Sequence, residues 1–314
     1  MCSSDLVKTC PACQWMGKGT GAPAHDLQPI PPSWPLARWG IDLVGPFKTA
    51  SRGAKFVVVA VDYFSKWVEA EPLTKITSAA VQKFVWRNLI CRFGVPREIT
   101  VDNGTQFDAS SFRKFCISLG VNLCFASVAN PRANGAVERA NGILLHGLRT
   151  RLFDLPKGKW AEELPNVLWS TRTSASRATG FTPFKLLYGD EAVTPEEIKL
   201  GSLRAETQPE EQSSQLALDG LDALRQEATL NIERYQASMA RAYNKTVRPR
   251  PIRVGDLVLK LKANPEVGGK LSSKWEGPYE VVSQSRPTSF RLKTLEGAEL
   301  QRSWNTINLK KYYV

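Results

Sequence analysis

The chain has 314 residues, with 42 Lys and Arg against 30 Asp and Glu and a net charge of +12 with His neutral. At 42% hydrophobic and 23% charged it is globular in composition, and its length suggests two or three modules with a real core. The longest unbroken apolar run, residues 56–61, falls far short of the roughly 20 residues a bilayer span needs, and the N-terminus lacks the basic-then-apolar pattern of a secretory signal. Six thinly spread cysteines argue for a reducing compartment. The basic excess favours a polyanionic partner, most often nucleic acid; a basic enzyme without one is the alternative.

In chain order, a short polar stretch to residue 21 holds CPAC, with Cys10 and Cys13. QPIPPSWP follows, and prolines at that density stiffen a linker and forbid helix. WGIDLVGPF, KFVVVAVD and WVEAEPL read as three strands joined by short turns, an antiparallel meander whose third strand is more exposed and ends at Pro72. TSAAVQKFVWRNLICRF reads as a helix closed by Gly94, with Ala80, Phe84, Leu89 and Phe93 among its apolar positions. EITVD is a strand. DASSFRKFCISLG is a helix with Asp108 or Ser110 as its N-cap, and VNLCFA is a strand. A helix is expected over 136–153 and another near 160–173. Three strands, helix, strand, helix, strand, helix pack most economically as a mixed sheet with helices on its faces.

Residues 190–211 are acidic, net −5, and read as a solvated connector. Leu221, Leu224, Ala228, Ile232, Tyr235, Met239 and Tyr243 recur at steps of 3 and 4, which marks one long amphipathic helix with a docking face. RPRPIRVGD breaks it. DLVLKLK, GPYEVVSQ, SFRLKTLEG and AELQRSW then read as a small β-barrel, and residues 246–314 are net +7. The charge is uneven, strongest where a polyanion would lie and interrupted by the acidic segment.

Three carboxylates stand out. Asp42 lies in the first strand, with Ile41 and Leu43 on the opposite face, and a lone acid there is costly to bury. Asp102 stands where a strand runs into Asn103-Gly104, a favoured place for sites of α/β sheets. Glu138 follows Asn134-Gly135 and begins a helix. Clustered oxygen ligands suit Mg²⁺ or Mn²⁺, and two such ions roughly 3.5–4 Å apart drive in-line phosphoryl displacement without a protein nucleophile. Only two histidines, His25 and His146, are present. Asp62 reads as a strand-end turn residue, Asp108 as a cap, and Glu69 and Glu71 as a solvated strand face.

Asp42, Asp102 and Glu138, with WGIDLVGPF, VDYFSKWVEA, RFGVP, ITVDNGTQF, NGAVERANG and TGFTPFKLLYG around them, resemble the integrase of gypsy-type long-terminal-repeat retrotransposons, closest in flavour to plant copies. The resemblance runs over essentially the whole chain. It implies an α/β fold: an RNase H-like mixed-sheet core with flanking helices, followed by a helical connector and a small SH3-like β-barrel. It implies a two-ion strand transfer in which a DNA 3′-hydroxyl attacks a target phosphodiester, with Asp42, Asp102 and Glu138 as catalytic metal ligands. The expected modules are a zinc-module remnant (1–21), a Pro-rich linker (22–37), the catalytic core (38–189), the acidic connector with the long helix (190–250) and a C-terminal DNA-binding module (251–314).

The family pattern HPQ-x-NGQ-x-E reads here NPRANGAVE, so Asn130, Arg132 and Ala136 depart from it. Cys10 and Cys13 resemble half of the family's His-His-Cys-Cys zinc module. No histidine precedes them, the N-terminal truncation this suggests leaves the module incomplete, and no stable zinc site is expected. Asn141 and Arg149 share a helical face with Glu138 and are candidate DNA contacts, with a solvated arginine as the alternative for Arg149. In the barrel, where KWEGPYEVV resembles a GPY-type module, Lys270, Lys274, Arg286, Arg291, Lys293 and Arg302 are candidate phosphate contacts. Trp275 and Tyr279 among them read as barrel core. No appended chromodomain is expected after the barrel. The expected partners are double-stranded DNA, as element ends and target, and further copies of the chain. No membrane is expected, and a nuclear location follows from the role alone. The rivals are a DNA-binding, self-associating remnant without catalysis and an RNase H-type nuclease.

Overall fold

The computed structural model describes residues 10–16, 31–102, 104–125, 135–201, 220–247, 252–262, 273–286, 289–300 and 302–314. The chain divides into two compact units, one of residues 30–127 and 131–237, the other of residues 1–29, 128–130 and 238–314. The helix α1 (Pro11–Met16) belongs to the second unit.

The first unit is built on β1 (Arg38–Val44), β2 (Phe56–Asp62) and β3 (Val68–Leu73), the antiparallel meander, followed by β4 (Glu98–Val101) and β5 (Asn122–Phe125). The sheet order is β3-β2-β1-β4-β5, with β4 and β5 parallel to β1. Pro72 does not end β3, which runs on to Leu73. Proline is tolerated there because β3 is an edge strand and its amide has no neighbour to serve.

The helices cover both faces. The first, α2, begins at Ser78–Phe84, capped by the Thr77 hydroxyl accepting from the Ala80 amide. It widens into a π-helical turn over Val85–Ile90 and ends with Cys91–Phe93. Next come α3 (Thr105–Asp108) and α4 (Ser110–Ser118). The N-cap position of α4 is Ala109, with no side-chain cap, in place of the Asp108 or Ser110 expected. Then follow α5 (Gly135–Arg151), α6 (Trp160–Thr173), α7 (Pro183–Tyr188), α8 (Pro195–Leu200) and α9 (Leu221–Asn244). The connector is thus partly helical, since α8 carries a full capping box between Thr194 and Glu197. Among the described residues no helix is long and apolar enough to cross a membrane.

Strand alternation assigns the two faces. Val58 and Ala60 of β2 join Ile41, Phe84 and Phe112 in one core. Val57, Val59 and Val61 join Val137, Ala140 and Leu144 of α5 and Trp160 of α6 in the other. Both faces of β2 are therefore buried, which explains its unbroken β-branched run. A third cluster seats Ala228 and Ile232 of α9 on Phe64 and Leu186, so the apolar stripe of α9 docks within this unit.

The second unit holds β6 (Leu257–Leu261), β7 (Trp275–Arg286), β8 (Ser289–Lys293), β9 (Trp304–Asn305) and β10 (Leu309–Lys311), in the order β10-β6-β7-β8-β9, antiparallel throughout. The expected strand AELQRSW is reduced to β9 and one bridge between Lys293 and Glu299. Register shifts in the β6–β7 and β7–β8 pairings bend the sheet around Val258, Val281, Phe290 and Leu292. In the same unit Gln14 of α1 exchanges two bonds with the Tyr313 backbone, each 2.7 Å, and Lys310 Nζ donates to the Gln14 carbonyl at 2.8 Å.

Candidate active site

Asp42 pairs in register with Val59, so its side chain shares the face on which α5 packs. Gly40, two residues earlier, makes that packing possible. A Cβ there would stand 2.2 Å from Val137 Cγ2 and 2.7 Å from the Tyr63 hydroxyl. The absent side chain lets α5 approach β1 and brings its first turns against Asp42.

The carboxylate of Asp42 is held at both oxygens. Oδ1 accepts from the Leu43 amide at 2.8 Å and Oδ2 from Asn141 Nδ2 at 2.7 Å. Burial pushes its pKa up, and repulsion from Asp102 and Glu138 adds to the rise, against the hydrogen bonds of Leu43 and Asn141. The three acids picked from the sequence therefore share one electrostatic neighbourhood. Asp102 stands just past β4, half-buried, and Oδ1 accepts from the Gly104 amide at 3.0 Å. Glu138 lies in the first turn of α5 and is exposed.

The donor set tests for a hard divalent cation in two ways. Three carboxylates, two of which act through space on Asp42, are in type what such an ion binds. Beside them the Asn141 Oδ1 is buried with no hydrogen-bond partner among the described residues. By both observations the residues fit the ion in type. The side chains do not converge, however: among the described residues no three His, Cys, Asp or Glu side chains form a group that could hold a metal.

Other expected residues fall as follows. Arg149 and His146 are exposed on α5, and Asn141 is engaged by Asp42. In the barrel Lys274, Arg291 and Arg302 are exposed, while Lys293 is ion-paired with Glu280 at 3.0 Å. Arg286 ends β7, and nothing is described of its side chain. Trp275 is buried and Tyr279 packs on the barrel core, as their reading as core requires. Cys13 is exposed beside half-buried Cys10. Lys270, His25, Asn130 and Arg132 lie outside the described residues, and Ala136 is in the first turn of α5.

One reading is corrected. Glu69 is not on a solvated face: it is 2% exposed. Its Oε2 meets Arg92 at 2.8 Å and Arg172 at 2.9 Å, and its Oε1 accepts from the Trp67 indole at 2.8 Å. Asp62 does close its strand, fully buried, accepting from the Leu36 amide and from the Ser65 amide and hydroxyl. Sequence reasoning passed over Gly40, whose role needs the packed helix, and gave Asn141 a DNA contact rather than a carboxylate. Its spacing of three from Glu138 was the available signal.

Two family models match the chain. One, described as integrase core domain, covers residues 32–131; the other, described as a domain of unknown function (DUF8803), covers residues 252–313. The chain is 30% identical over 289 residues to the Gag-Pol polyprotein of avian reticuloendotheliosis virus, matching 92% of this chain and 24% of that protein. It is 28% identical over 258 residues to the Gag-Pol polyprotein of woolly monkey sarcoma virus, matching 82% of this chain and 14% of that protein. The chain thus spans a quarter or less of the length of these curated relatives. A chain of the simian T-cell lymphotropic virus intasome, solved in complex with PP2A regulatory subunit B56 gamma, superposes with a TM-score of 0.59 at 20% identity, over 99% of this chain and 90% of that one. At that identity the likeness is one of fold, an RNase H-like core with a C-terminal SH3-like sheet. Residues 32–131 thus match the integrase core domain, and the chain is similar to part of the Gag-Pol polyproteins of these viruses.

Proposed function

We propose that the protein is a metal-dependent DNA strand transferase that inserts element DNA into a target duplex. The observation that carries this reading is the shared field of Asp42, Asp102 and Glu138, with Asn141 bonded to Asp42. Asp42, Asp102 and Glu138 would hold Mg²⁺ or Mn²⁺ through oxygen. When bound, such ions supply the charge that activates an attacking DNA 3′-hydroxyl and steadies the leaving oxygen. Asn141 fixes the rotamer of Asp42. Exposed Arg149, Lys274, Arg291 and Arg302 offer phosphate contacts without base selection. The motifs around the acids favour a gypsy-type retrotransposon source, with paired DNA ends held by several copies of the chain and the reaction set in the nucleus.

The test is joining of oligonucleotide duplexes bearing the element's ends, with Mg²⁺ or Mn²⁺. Joined product is expected from the wild type and none from Asp42→Asn, Asp102→Asn or Glu138→Gln. Joining that persists in all three variants removes the ligand assignment. DNA binding without joining in the wild type supports a non-catalytic remnant instead, and cleavage of an RNA–DNA hybrid supports a nuclease.

A further inference from the structure

Behind α5, away from Asp42, lies a cavity of about 750 Å³ walled by α5, α6, the 174–178 segment and α9. Each helical residue turns by about 100°. Arg139, Ile143, His146 and Thr150 therefore share one face of α5, and all four line the cavity. Asn141 falls on roughly the opposite face and Glu138 about a third of a turn away, and neither lines it. The catalytic helix thus separates two sites.

The wall is of two kinds. Val61, Val68, Ala140, Ile143, Val167 and Ile232 give it an apolar body. Its charged lining has one sign: Lys66, Arg139, Arg151 and Arg177 contribute, and among the described residues no Asp or Glu does. Arg151 is already matched by Glu163, and Arg139 donates to the Tyr235 hydroxyl at 3.2 Å. Lys66 is different. Its backbone has φ 65, a left-handed conformation that a lysine adopts only at an energetic cost. Its ammonium makes one side-chain hydrogen bond among the described residues, to the Tyr63 carbonyl at 2.6 Å. Burial lowers its pKa, with Asp62 opposing the shift and Arg139 adding to it. The ammonium is thus largely desolvated, Asp62 offsets its charge only in part, and no Asp or Glu among the described residues lines the cavity beside it.

We infer that this cavity binds a small organic anion, with an apolar body against Ile143, Val167 and Ile232 and a phosphate, sulfonate or carboxylate group at Lys66 and Arg139. The volume lies within the roughly 300–1,000 Å³ of ligand pockets. A nucleic-acid backbone, a run of phosphates without an apolar body, matches the charge but not the wall. The inference does not depend on the catalytic reading, because none of Asp42, Asp102 and Glu138 lines the cavity.

The probe is 1-anilinonaphthalene-8-sulfonate, titrated by fluorescence against the full chain, with N-phenyl-1-naphthylamine as its uncharged twin. One saturable site per chain is expected, and the twin should bind about tenfold more weakly, the worth of a charge-assisted hydrogen bond. Lys66→Met should weaken the sulfonate by about the same factor, while Lys66→Arg, which keeps the charge, should not. Ser170→Trp, which fills the cavity from an exposed position on α6, should abolish binding with the circular dichroism unchanged. Asp42→Asn and Glu138→Gln should leave it intact. Equal affinity for the uncharged twin, unsaturable binding, undiminished binding in both Lys66→Met and Ser170→Trp, or displacement by a short DNA duplex would each overturn the site.

Discussion

Asn141 and Asp42 are 99 positions apart in the chain and 2.7 Å apart across the candidate active site. The bond ties the helix that carries Glu138 to the strand that carries the first acid. It also leaves the other amide atom, Oδ1, buried without a partner among the described residues. Such a group costs free energy unless the site uses it. Asn141→Ala should therefore leave the fold intact and lower strand transfer about tenfold, by freeing the Asp42 rotamer. Asn141→Asp should lower it further, since it sets a second carboxylate against Asp42. Wild-type joining rates in both variants would show that the bond is idle.

Gly40 permits the approach that makes this bond. A methyl group there overlaps Val137 Cγ2, one residue before Glu138. Gly40→Ala should destabilise the first unit by about 1–3 kcal/mol through overpacking, and it should depress joining as well, because α5 is displaced from β1. The double variant Gly40→Ala/Val137→Ala should recover much of both losses. Stability by urea unfolding and joining by gel checks the pair. No recovery in the double variant would mean that the glycine serves Tyr63, whose hydroxyl lies 2.7 Å from the same Cβ position, rather than the helix.

The order of elements and the facing of Asp42 were legible because they follow from local periodicity. Alternation in β1 puts Ile41 and Leu43 on one side and Asp42 on the other, whatever packs there. What stayed hidden depends on partners far along the chain. Glu69 alternates like a solvent-facing residue on an edge strand, and nothing near it announces that Arg172, 103 positions on, will return on α6 to cover it. Asn141 carries no mark of its acceptor. The strain at Lys66 is equally silent, since YFSK reads as an ordinary turn.

The buried pairing of Glu69 gives the largest expected stability effect. Glu69→Ala leaves Arg172 facing the Trp67 ring with its charge uncompensated. Breaking one side of such a pair costs about 3–5 kcal/mol, and Arg92, itself largely exposed, adds little. Glu69→Gln keeps an acceptor for the Trp67 indole and should cost less. Arg92→Ala should cost least of the three. Denaturant unfolding ranks them, and a loss on Arg92→Ala as large as that on Glu69→Ala would place the energy in the wrong partner.

Asp62 makes the pH dependence directional. Complete burial raises its pKa above the ordinary carboxylate value, against the stabilising donors of Ser65 and Leu36 and the nearby charge of Lys66. In the folded chain the group thus holds its proton to a higher pH than in the unfolded chain. The folded state binds more protons in that interval, so this group's contribution is full below the unfolded value of about 3.9 and declines as pH rises towards the folded one. Asp62→Asn cannot titrate there, although its amide must face one of the three donors and the variant is less stable in absolute terms. The stability of the wild type minus that of Asp62→Asn should therefore shrink as pH rises from 4 upwards and then level off. Urea unfolding of both proteins across that range measures the difference. A gap that widens with pH would mean that Ser65, Leu36 and Lys66 together outweigh burial and hold Asp62 as the carboxylate.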